Sequence, residues 1–189
     1  TNAYAVGARL NGAEIRRFTP VIGTEQNSDS TWNIITEKGD IHTEWVVNAA
    51  GLWGREVGKM ANINLPLQPT EHQYFVTETI NEIKNFPDRL PSVADRDGEY
   101  YLRQEGKGLL IGAYEKNYKL WAEGETPKDF GHDLFDDDLE RIEENVLRAI
   151  DRVPIAGSAG IKRVINGPMI WSPDSNVLFG PIPEIKNYF

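Results

Sequence analysis

The 189-residue chain has no cysteine, which removes disulfides, thiolate-held metal ions and a cysteine nucleophile within these residues. No apolar stretch approaches the roughly 18 residues that a membrane-spanning helix requires. No leader pattern is visible, although the chain starts at Thr1 rather than at a methionine. Lysine and arginine number 20 against 29 acidic residues, a formal net charge of -9, and they form no run. A broad basic surface for nucleic acid is therefore not expected. There is no internal repeat, low-complexity tract or heptad pattern.

What is present reads as an ordinary globular sequence, 40% hydrophobic and 26% charged, long enough for one sizeable domain or parts of two. Ala3, Val6 and Leu10 share a helical face in a first helix that Asn11-Gly12 ends. Extended pieces are expected at residues 15–18, 20–24 and 31–36, then a turn at Lys38-Gly39-Asp40 and a strand over Ile41 to Asn48. A helix from Leu52 to Ala61 follows. From Pro66 onward, strands are expected at residues 69–78, 91–95, 99–104 and 109–114, a pattern for an antiparallel sheet. Asp137 to Asp151 is the clearest helix, with Leu139, Ile142, Val146 and Ile150 on one face and an acidic start. Two further extended pieces, 161–164 and 167–171, precede a turn at Ser172 to Ser175. The helix already under way at Thr1 and the strand-like Asn187-Tyr188-Phe189 predict an internal piece of a longer chain.

The chemically informative segment is Val46-Val47-Asn48-Ala49-Ala50-Gly51-Leu52-Trp53. An apolar strand entering small residues and then a helix is a tight turn where backbone can approach a ligand and a helix start favours oxygen or negative charge. Good helix–sheet packing explains the same pattern. His72 shares a strand face with Tyr74 and Val76, and a lone strand histidine is more often a structural hydrogen-bonder than a base. Tyr100 and Tyr101 must point to opposite faces, so only one can enter a shared pocket. Arg103 lies on the face of Tyr101 and suits a substrate carboxylate or a surface ion pair. His42 and His132 read as solvated bystanders. Asp133, Asp136, Asp137 and Asp138 lack calcium-loop spacing and read as a solvated helix start, so no metal site is expected. Ser172 has no G-x-S-x-G surroundings and no hydrolase role.

Several segments in consistent order make these signals specific: V-V-N-A-A-G-x-W at residues 46–53, Gly51 to Met60, Pro69-Thr70-Glu71-His72-Gln73-Tyr74-Phe75-Val76-Thr77, and Gly167 to Asp174. Together they resemble the D-amino-acid-oxidase-like flavoproteins, and within them the dimethylglycine and sarcosine dehydrogenase branch. The resemblance implies a mixed α/β fold. Residues 1–64 would be the middle of a Rossmann-like FAD-binding domain, 65–165 an antiparallel-sheet substrate domain, and 166–189 a return towards the first. It implies an FAD-dependent oxidoreductase that demethylates a small N-methylated amino acid by hydride transfer to the flavin. His72 would be the base at the flavin, with Tyr101 in preference to Tyr100 positioning the substrate. Arg103 and Trp171 would lie near the substrate, and Val21, Ala49, Ala50, Gly51 and Trp53 near FAD.

One departure limits the carry-over. The family's G-x-G-x-x-G phosphate loop is absent here, so the main phosphate cradle is expected outside this chain, and the piece alone is expected to bind FAD poorly and be inactive. Folate, as acceptor of the one-carbon unit, belongs to the same expectation for the full-length protein. The electron acceptor is left open, and so is a choice between cytoplasm and mitochondrial matrix. Two alternatives stand: a non-catalytic relative of the pyruvate dehydrogenase phosphatase regulatory type, and another amine or hydroxy-acid oxidase on the same scaffold.

Overall fold

The computed structural model describes residues 1–131 and 133–189. It divides into two compact units, Thr1–Leu65 with Val177–Phe189, and Pro66–Asn176. The reading of His132 lies outside the described residues.

The first unit opens with α1 (Asn2–Leu10), which buries no side chain. Its expected apolar face is not interior: Val6 is exposed, as are Tyr4 and Leu10. Three antiparallel strands follow in the order β1 (Val21–Gln26), β2 (Trp32–Thr36) and β3 (Ile41–Thr43). No strand forms at residues 15–18. The expected strand to Asn48 stops at Thr43, whose hydroxyl bonds the Trp45 carbonyl at 3.1 Å in the turn that redirects the chain to a different partner. Beyond that turn, Val46 and Asn48 pair in parallel with the last three residues, Val46 N–H to Asn187 O at 2.9 Å and Asn48 N–H to Phe189 O at 2.7 Å. Trp32 and Tyr188 form the small core with Ala61 and Ile63, their rings 5.4 Å apart.

The turn from Val46 to Trp53 is organised by Asn48. Its side-chain oxygen accepts from Ala50 N–H at 3.2 Å and its amide donates to Gly54 O at 2.8 Å. Gly51 holds φ at 57°, in the left-handed region that glycine enters without strain. The expected single helix is a 3₁₀ turn over Gly51–Trp53 followed by α2 (Gly54–Met60). The tight turn comes first because the Trp53 N–H reaches back only three residues, to Ala50 O at 3.1 Å.

The second unit is built on a five-stranded antiparallel sheet in the order β5-β6-β7-β4-β8. Its strands are β4 (Gln68–Thr77), β5 (Val93–Asp95), β6 (Tyr100–Glu105), β7 (Gly108–Ala113) and β8 (Ile161–Trp171). The last replaces the two short pieces expected there, because it pairs with β4 from Gln68↔Trp171 to Thr77↔Ile161, with one register shift between Val76 and Thr77. A short helix that the sequence did not announce, α3 (Asn81–Lys84), buries Ile83 beside Ile80.

One face of this sheet is the core. Phe75, Tyr100, Leu102, Leu109, Ile111 and Ala113 meet Ile142 and Ala149 of the helical segment, with Leu139, Val146 and Ile150 packed alongside. The segment starts as a 3₁₀ turn (Leu139–Ile142) before α4 (Glu143–Arg152). Asp138 is held out of the helix because its N–H and C=O both bond the side-chain amide of Gln73. Asn145 then ties α4 to the sheet edge, donating to Gly98 O and Glu99 O at 3.1 Å each. Ile142 is fully buried at the centre. Ile142→Ala is expected to cost about 2–5 kcal/mol, read as a lowered denaturation midpoint of the protein that carries this chain.

Candidate functional site

Strand alternation sends the other residues of the sheet to the opposite face. β4 contributes His72 and Tyr74, β6 contributes Tyr101 and Arg103, and β8 contributes Met169 and Trp171. The registers Tyr74↔Gly112↔Tyr101 and His72↔Gly167 set them in neighbouring rows. Two glycines, Gly112 and Gly167, thus sit in rows otherwise filled by rings. The Tyr101 ring takes the space over Gly112, where a Cβ would lie 2.2 Å from Tyr101 Cζ.

That space lets Tyr101 reach His72. The phenol oxygen is 3.3 Å from His72 Nε2. Tyr114, just past β7, stacks on His72 with centroids 5.2 Å apart and planes at 26°. It lies 5.3 Å from the Tyr101 ring and meets Trp171 edge-on at 6.0 Å. The structure therefore brings together His72, Tyr101 and Trp171, and adds Tyr114. The signal for Tyr114 was available, since in Gly112-Ala113-Tyr114 the tyrosine shares the face of the glycine. Tyr100 is separated from them, buried on the core face. Arg103 is on the site face but ion-paired, its Nη1 2.7 Å from Glu105.

The electrostatics divide labour between the two groups. Burial, and then the positive charge of Arg141, holds the His72 imidazole below its ordinary value of 6.5 and so favours the neutral ring. Burial, then the neighbouring Tyr114 and Tyr74, pushes the Tyr101 phenol up to about 12. At neutral pH Tyr101 is a hydrogen-bonding hydroxyl, and His72 is the group with a lone pair to offer a proton.

Arg141 belongs to an ion cluster on the back of the sheet. Its side chain is 6% exposed and contacts Glu115 at 2.8 Å, Asp138 at 3.0 Å and Glu71 at 3.5 Å. Lys119 reaches Glu71 at 2.8 Å, and Asn166 donates to the same carboxylate at 3.1 Å. Asp138, expected to be solvated, is thus engaged through both backbone and carboxylate. Burial pushes the Glu115 carboxyl up, while its own backbone N–H and Arg141 pull it down. His42 is exposed and bonds Asn33 at 3.0 Å. Among the described residues no group of three or more His, Asp or Glu side chains is gathered to hold a metal ion. No described helix is long and apolar enough to cross a membrane.

The profile of the family described as FAD dependent oxidoreductase matches residues 1–189. The chain belongs to that family. It is 43% identical over its full length to mitochondrial dimethylglycine dehydrogenase of Homo sapiens, covering 22% of that protein. Against mitochondrial sarcosine dehydrogenase of Homo sapiens it is 38% identical over its full length, covering 20%. The chain therefore spans about a fifth of the length of these curated relatives. Among solved structures, L-proline dehydrogenase from P. horikoshii superposes with a TM-score of 0.76 at 28% identity, over 99% of this chain and 47% of the other.

Membership implies FAD, and the first unit can be tested for it. At Gly51 a Cβ would meet nothing within 4 Å, and Ala49 beside it is exposed. Backbone at this turn is open to a ligand, as a dinucleotide requires. Ala50 and Trp53 flank the opening half-buried, and Val21 begins β1 half-buried. The open backbone at Gly51 fits the close approach of a dinucleotide.

Proposed function

We propose that this chain is part of an FAD-dependent amine dehydrogenase or oxidase that demethylates dimethylglycine, sarcosine or a similarly small N-methylated amino acid. In this reading the first unit belongs to the FAD-binding domain, with Val21, Ala49, Ala50, Gly51 and Trp53 beside the cofactor. The second unit is the substrate-binding domain, and the main phosphate loop lies outside the chain. The observation that carries the reading is the neutral His72 held against Tyr101 and Tyr114 on a sheet face.

Bound FAD supplies the two-electron acceptor for oxidation of an N–CH₃ group. The residues of this chain handle the proton and the orientation. An N-methyl amino acid is an ammonium at neutral pH, and the nitrogen must lose its proton before its lone pair can assist oxidation. In the tautomer this role requires, His72 donates Nε2–H to Tyr101 and keeps its Nδ1 lone pair for that proton. Arg103 binds Glu105 through one nitrogen, and a guanidinium carries five N–H donors, so others can meet the substrate carboxylate. Trp171 and Tyr114 wall the same face. Hydrolysis of the resulting iminium releases formaldehyde, unless the one-carbon unit is taken by folate in the full-length protein. The mitochondrial matrix is the proposed compartment, following the mitochondrial relatives. Electrons leave to a separate acceptor or to oxygen.

The test is anaerobic addition of dimethylglycine or sarcosine to the full-length flavoprotein. Bleaching of the flavin absorbance is expected; its absence with all such amines sinks the enzyme reading and leaves the regulatory type. The pH dependence of bleaching adds a sign. Because His72 is held below 6.5, its neutral form persists as pH falls through 6.5, and the acid limb of the rate is expected below that value. An acid limb above 6.5 contradicts the assignment of His72.

A further inference from the structure

We propose that Arg141 is a positioning residue for His72 and Tyr114, clamping their strands together from the back of the sheet; this rests on the proposed function for its catalytic meaning. The backbone ladder between β4 and β7 ends at Tyr74↔Gly112. The next same-face residues along each strand are His72 and Tyr114, whose stacking at 5.2 Å has no paired ladder residues beneath it. β4 turns instead to another segment, with Glu71 N–H bonded to Lys119 O at 2.8 Å.

Arg141 spans this break. Alternation puts the neighbours of the two rings, Glu71 and Glu115, on the back face, where both are buried. The guanidinium takes Glu115 Oε1 at 2.8 Å and, from the same nitrogen, the Glu71 backbone carbonyl at 3.4 Å. Its other terminal nitrogen faces the Glu71 carboxylate at 3.5 Å, and its Nε takes Asp138 at 3.0 Å. Asp138 is itself fixed to Gln73, the residue after His72. Both residues flanking His72 are therefore tied to the turn that carries Arg141. The planar fork is what allows one side chain to hold three carboxylates and a carbonyl at once; an ammonium cannot reproduce that geometry.

The experiment uses the full-length flavoprotein with Arg141→Lys, which keeps the charge and loses the fork. Its crystal structure is expected to show the His72–Tyr114 stack opened by roughly 1 Å or more, and the limiting rate of flavin bleaching to fall about tenfold to a hundredfold. The apparent substrate dissociation constant should stay within about twofold, because Arg141 lies on the face away from the substrate. An unchanged stack overturns the proposal, and so does a normal bleaching rate per bound flavin in a protein whose His72→Ala variant bleaches slowly. Should Arg141→Lys fail to fold, Glu115→Gln loosens the same clamp, and the same two readouts decide. An opened stack in a protein whose His72→Ala variant bleaches normally supports the clamp and defeats the catalytic reading, so the two failures are distinguishable.

Discussion

His72→Ala in the full-length flavoprotein is expected to slow flavin bleaching by the N-methyl amino acid about 10²–10⁴-fold at neutral pH, the range for losing a positioned general base. The imidazole is held neutral by burial and by Arg141, so it is in the accepting form where the substrate is still an ammonium. Its neighbour Tyr101, pushed up to about 12, cannot take over as base. Among the described residues no other titratable side chain hydrogen-bonds His72, Tyr114 serving as a stacked ring. The loss should shrink as pH approaches the amine's own range, near 10 for an alkylammonium, because the substrate then arrives deprotonated. Substrate affinity should change little. A loss of equal size at every pH would make His72 an orienting group rather than a base, and a normal rate at neutral pH removes it from the chemistry.

The choice of Tyr101 over Tyr100 shows what a sequence can carry. Alternation alone separates the two, and the structure puts Tyr100 in the core and Tyr101 beside His72. The strand β6 was legible for the same reason, since a half-buried strand writes its period of two into the chain, whereas β7 is buried along its whole length and shows as a short apolar run between turns. What was not legible depends on partners distant in sequence. The break after Thr43 makes sense only with residues 187–189 in place to receive Val46 and Asn48. The 3₁₀ start at Leu139 needs Gln73, and the role of Asp138 needs Arg141 together with that glutamine. Glu71, Glu115 and Arg141 were each unremarkable as sequence; Arg141 lies 70 residues from Glu71. Periodicity announces faces, and it is silent about which buried charges will meet behind them.

Gly112→Ala is expected to be as informative as removing the histidine. The added Cβ would fall 2.2 Å from Tyr101 Cζ, 2.3 Å from its oxygen and 2.5 Å from Cε1, whereas carbon atoms pack at about 3.5–4.0 Å. The ring must therefore move by about 1 Å or more. Tyr114 lies 5.3 Å away on one side, and Tyr74 stands across Gly112 in the same row and on the same face, so a new rotamer is the available escape. Such a move carries the phenol away from His72 Nε2. Bleaching should slow about tenfold to a hundredfold, with a stability loss of about 1–3 kcal/mol from overpacking. Combining Gly112→Ala with Tyr101→Ala removes the clash, so stability should recover relative to Gly112→Ala alone while the rate stays low. Tyr101→Phe keeps the ring and deletes only the hydroxyl, and its rate should show how much of the loss belongs to the hydrogen bond. If Gly112→Ala bleaches at the normal rate, the placement of Tyr101 over the glycine serves packing and not the reaction.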